Sequence, residues 1–87
     1  MPDRVKEGPQ APGAIPNGTR VVKVMNEPGD GHELGDQARV LASFATPPEM
    51  RQKFPDCLFC YFLDWDDMPG LPVFTRGDKI APRDPPK

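Results

Sequence analysis

Histidine occurs once, at position 32, and cysteine twice, at positions 57 and 60. One imidazole and one cysteine pair are too few for a closed four-ligand zinc site or for a disulfide framework. No serine or cysteine has a histidine beside it, no glycine-rich phosphate loop is present and no segment repeats, so the chain reads as non-catalytic and no cofactor is expected. Long apolar runs are also missing. The longest, residues 57–63 (CLFCYFL), is far short of the ~20 residues that span a bilayer, so no membrane association is expected. Without a basic leader and apolar core the default location is cytoplasmic. Neither sign of charge dominates. The 11 bases and 13 acids leave a formal charge of −2 with the signs interleaved, so nothing steers the chain toward a polyanion and nucleic acid is not the expected partner. Aromatic residues are only 8% of the chain, with a single tryptophan. A domain this small has a thin stability margin and needs most of them inside.

Proline and glycine are plentiful, at 13 and 8 of 87 residues, and they are unevenly spread. Residues 1–18 hold Pro2, Pro9, Pro12 and Pro16 with only Val5 and Ile15 as sizeable aliphatics, too little apolar surface to offset the entropy of ordering. They read as a flexible tail, as do residues 83–87. Between the tails, residues 19–82 read as a single domain.

Within that domain, residues 19–25 (TRVVKVM) are β-branched and end at the turn formers of NEPGDG, which marks a first strand. Residues 26–36 are a long acidic loop. Residues 37–44 (QARVLASF) alternate, Ala38, Val40, Ala42 and Phe44 on one face, as a half-buried strand does. Pro47-Pro48-Glu49 permits a short helical turn, which Pro55 stops. The densest apolar stretch, residues 57–67 (CLFCYFLDWDD), is expected as the central strand. At period two it is apolar on both faces until Asp64, so both faces should be covered and Phe59 and Phe62 should lie in the core. Pro69-Gly70 is a tight turn, residues 72–75 the return strand of a hairpin, and residues 79–81 a last short strand.

Five short strands without a convincing helix argue an all-β fold, a small barrel whose closure hides its edges. The long loop at 26–36, the Gly35-Asp36-x-Ala38-x-Val40 lead into the second strand and the tight turn between the third and fourth strands together resemble the layout of the SH3-like barrel. The resemblance spans about residues 19–82 and implies that the first and last strands pair. Neither the ALYDY-like run nor the tryptophan pair of the peptide-binding members is present. Residues 61–82 are also similar to the closing half of small bacterial proteins of unassigned function.

Four features carry possible chemistry. Cys57-Leu58-Phe59-Cys60 has the spacing of metal and redox pairs, yet residues three apart on a strand point to opposite faces, so buried structural thiols are expected. His32 with Glu27, Asp30, Glu33, Asp36 and the aspartates around Trp65 offer oxygen and imidazole ligands in a pattern that matches no calcium loop. Arg20, Lys23, Arg76 and Lys79 would cluster if the first and last strands pair. Trp65, Met68 and Leu71, with His32 and Asp66 beside them, are the best surface for a protein partner. The leading expectation is therefore a small interaction module binding another protein through the first loop and the 65–71 turn. The alternatives are a weak nucleic-acid binder and a divalent-metal-binding protein.

Overall fold

The computed structural model describes residues 7–83. They form one antiparallel sheet of five strands, β1 (Arg20–Lys23), β2 (Gln37–Ala45), β3 (Phe59–Trp65), β4 (Pro72–Arg76) and β5 (Ile80–Pro82), in the spatial order β4-β3-β2-β1-β5. A six-residue helix, α1 (Pro48–Lys53), joins β2 to β3, and a single 3-10 turn (Gly77–Lys79) joins β4 to β5. The first strand does pair with the last, through Val21↔Pro82, Val22↔Ala81 and Lys23↔Ile80. The expected closure into a barrel is not formed: among the described residues the sheet is open, with β4 and β5 as its edges. β5 has three residues, all of them paired with β1, and it ends in a proline that has no N–H to extend a ladder. No helix among the described residues is long and apolar enough to cross a membrane.

The alternation along β2 breaks in the middle. Val40 lies opposite Leu63, but the next partner of β3, Phe62, faces Ala42, so Leu41 is an extra residue, a bulge. Before the bulge Ala38 and Val40 point to the core. After it the parity is reversed, Ser43 turning inward opposite Tyr61 while Ala42 and Phe44 turn outward. The single face expected for Ala38, Val40, Ala42 and Phe44 is therefore split between the two sides of the sheet.

The inner face carries the core: Val21, Ala38, Val40, Tyr61, Leu63, Trp65 and Ile80, with Ala14, Ile15, Phe59, Met68 and Val73 packed against it. Part of its cover comes from the segment expected to be a tail. Pro9 accepts a hydrogen bond from Ser43 N–H, and Gly8 and Gly18 donate to the carbonyls of Leu41 and Val40. These bonds serve the edge of β2 that the four-residue β1 is too short to reach. In between, the chain crosses the inner face, Ala11 N–H bonding Ser43 Oγ and Ile15 N–H bonding the Tyr61 hydroxyl. Gly13 has φ of 86° and would place a Cβ 3.5 Å from the Phe59 ring, so it suits a turn made against that ring. The tail positions 1–6 and 84–87 lie outside the described residues.

Candidate functional site

The outer face of the sheet is covered over only part of its area. α1 sits over the row formed by Cys60 and Arg76: Met50 approaches the Cys60 sulfur, and the Arg76 guanidinium lies 3.5 Å from the centre of the Phe54 ring. The next row is left open. Phe62 of β3 stands directly across from Phe74 of β4, and Phe44 of β2 completes a triangle with ring centres 6.0 to 6.1 Å apart. Phe62 is 38% exposed and Phe74 43%, which corrects the expectation that Phe62 is core. The expectation followed from an apolar pattern on both faces, and the described residues supply one further layer, laid mainly over the inner face. Three of the five phenylalanines thus meet on one outer patch, in a protein short of aromatic residues. The patch reaches the open edge strand β4, where backbone groups on one side have no neighbouring strand among the described residues. Composition could not reveal it, because the outward turn of Phe44 depends on the bulge at Leu41.

The groove expected to bind a partner is built differently from its sequence reading. Trp65 is 1% exposed, buried with its ring stacked 3.9 Å from that of His32, which is itself buried. His32 Nε2 lies 3.1 Å from Asp67 Oδ1, and the His32 carbonyl accepts from Lys23 Nζ at 2.7 Å. Asp66 is exposed and ion-paired with Arg20, Leu71 is exposed, and Met68 packs half-buried against the core. Trp65 and His32 are therefore interior, where they fasten the first loop to the sheet. The loop is shaped for this by Pro28-Gly29, Gly29 having φ of 90°, and the Asp30 carboxylate accepts from Glu27 N–H within the same turn. Beside them is a cavity of about 190 Å³ lined in part by Lys23, His32, Trp65, Val73 and Thr75. The Trp65 indole N–H has no partner among the described residues.

The basic cluster forms, but each member is matched by an acid. Arg76 forks onto both oxygens of Glu27 and both oxygens of Asp78 at 2.9 to 3.0 Å. Lys79 bonds Asp30 at 2.6 Å, and the buried Lys23 reaches the other oxygen of Asp30 at 3.1 Å. The Lys79 ammonium holds the Asp30 carboxyl, and the Arg76 guanidinium those of Glu27 and Asp78, below the usual carboxylate range. Arg76 is in turn held fully charged by Asp78 and Glu27. These pairs fix the acidic loop over the β4–β5 connection, and with Arg20 held by Asp66 all four bases that would meet a phosphate backbone are already neutralised at short range. Of the first-loop acids, Glu27 and Asp30 for the same reason face cations of the chain, while the Asp36 carboxylate accepts from Glu33 N–H. Among the described residues no three His, Cys, Asp or Glu side chains gather as metal ligands.

The cysteine pair departs from expectation. Cys57 precedes β3 and so escapes its alternation, and both sulfurs reach the same Thr46 hydroxyl, at 3.4 and 3.5 Å. Both are buried thiols, and burial pushes the Cys60 thiol up from its ordinary value. The Cys57 thiol donates to the Phe59 carbonyl at 3.3 Å.

Comparison with protein-family models, with curated proteins and with solved structures finds no match to this chain.

Proposed function

We propose that this domain is a non-catalytic, SH3-like interaction module whose binding surface is the outer patch of Phe44, Phe62 and Phe74. The occupant we propose is an extended segment of a partner protein with apolar side chains at alternate positions, added as a strand along β4. The observation that carries this reading is the patch itself, three mutually touching rings that continue without interruption onto an open sheet edge. An added strand satisfies the edge backbone, and every second side chain of that strand falls on the same face as the rings. Pairing of the first and last strands and the strand order support the SH3-like part of the reading.

Selection of binders from a display library of random linear peptides, followed by amide shift mapping, tests it. Selected peptides are expected to alternate apolar and polar residues and to shift β4, Phe62 and Phe44. The double substitution Phe62→Ser with Phe74→Ser is expected to abolish binding while the dispersed amide spectrum persists. Failure to select a binder, binders that map to the first-loop groove, or a patch covered by a second copy in light scattering would each overturn the proposal.

A further inference from the structure

Beside α1 three sulfur atoms are linked by short contacts. Cys57 and Cys60 share the Thr46 hydroxyl, and the Cys60 sulfur is 3.6 Å from the Met50 thioether. We propose that Cys57, Cys60 and Met50 form a binding site for a soft monovalent metal ion of the copper(I) class. Two sulfurs bound to one trigonal metal at ~2.3 Å each sit about 4 Å apart, so the Cys60–Met50 separation is already within a few tenths of an ångström of what such a centre requires. The donor set decides which ion. No carboxylate or imidazole joins the sulfurs among the described residues, which leaves nothing for calcium, magnesium or manganese. Zinc takes four ligands, commonly thiolate and imidazole, whereas thiolate with thioether selects copper(I).

The surroundings fit an ion that arrives and is then enclosed. Both cysteines are wholly buried, but Met50 is half-buried and lines a surface groove with Pro47, Glu49, Lys53 and Phe54. α1 itself has no buried residue and no side-chain hydrogen bond at its N-cap, so this six-residue lid is lightly held. On binding, each thiol loses its proton to solvent, two metal–thiolate bonds form, and the thioether adds a third bond by donating a lone pair. The two protons released leave the filled site with one negative charge. The Thr46 hydroxyl, already within reach of both sulfurs, donates to that charge as an outer-shell partner does.

The test is competition for copper(I), without oxygen, between the reduced protein and a chromophoric chelator, with silver(I) as a redox-inert second probe. One equivalent is expected to bind, with thiolate-to-metal absorption in the ultraviolet and only sulfur neighbours in X-ray absorption. Cys57→Ser and Cys60→Ser are expected to lose more affinity than the roughly 10–100-fold that an outer-shell change such as Thr46→Val costs. Met50→Leu lies on the surface helix and keeps the fold even if a cysteine variant does not; it is expected to weaken binding and to reduce the sulfur neighbours from three to two. No competition by the parent, binding unchanged in Met50→Leu, or zinc held as tightly as copper(I) would overturn the site.

Discussion

Both faces of β3 carry large apolar side chains, and the two faces meet different fates. Inward, Tyr61, Leu63 and Trp65 are between 0% and 3% exposed. Outward, Cys60 is enclosed but Phe62 is not. What separates them is the supply of covering chain. The inner face receives residues 10–15 and the acidic loop, each tied down by specific bonds, whereas the outer face receives one short helix that spans a single row of side chains. Apolar residues on both sides of a strand show that both sides avoid water. They do not show whether this chain or another supplies the second cover.

The contrast sets an order of expected effects, beginning inside. Trp65→Ala removes a ring that is 1% exposed and stacked on His32, and it should cost about 3–5 kcal/mol, enough to unfold most of the population of a domain this small. A cooperative thermal melt close to that of the parent would show that the inner face is not the core. Lys23→Met keeps the aliphatic packing but leaves the His32 carbonyl without its 2.7 Å donor, at an expected cost of about 1.5–3 kcal/mol in urea unfolding. Around it, Glu27, Asp30 and Asp78 titrate below their ordinary range when folded, so their contribution is complete above the ordinary carboxylate pKa. It is lost as the pH falls through the lowered values. Melting temperature should therefore fall on acidification below about pH 4, less steeply in Lys79→Gln, and an unchanged acid limb in that variant would detach the loop from the network.

Gly77 tests how closely the last turn sits on the inner face. A Cβ there would be 2.5 Å from the Phe59 carbonyl oxygen and 2.8 Å from a Tyr61 ring carbon, and the carbonyl belongs to backbone that cannot turn aside. Gly77→Ala should cost about 1–3 kcal/mol by forcing the 3-10 turn off β3, visible as lost hydrogen-exchange protection in β5. Wild-type protection would mean that the turn adjusts freely.

Strands and turns were legible because each rests on local chemistry: β-branched runs, alternation, Pro69-Gly70 with Gly70 at φ of 83°; the β1–β5 pairing, between residues distant in the chain, was implied only by the resemblance of layout. The helical turn after Pro47 was legible from local chemistry too. The site was far less so. The Leu41 bulge reverses half of β2 without any glycine to announce it, which hid both the inward Ser43 and the outward Phe44. Period-two alternation puts Cys57 and Cys60 on opposite faces, but β3 begins two residues after Cys57, and both sulfurs reach the one Thr46 hydroxyl. Residues 8–18 looked too polar to order because their contribution is made largely by backbone hydrogen bonds to β2, which composition does not register.

Phe62→Ala is the smallest effect and the sharpest discriminator between the two faces. Were Phe62 enclosed above and below, its truncation would cost about 3–5 kcal/mol and unfold the domain. With 38% of it exposed and its ring set against Phe44 and Phe74, the loss should approach that of a cross-strand aromatic pair, about 1 kcal/mol or less, a shift of only a few degrees in melting temperature. The same substitution should nevertheless weaken any strand added along β4, since it removes one of the three rings of the patch, the one directly across from Phe74. Stability and binding are thus expected to part at this residue, whereas at Trp65 they should fall together. A Phe62→Ala variant that binds as well as the parent would leave the outer rings as inert surface, whatever its melting temperature.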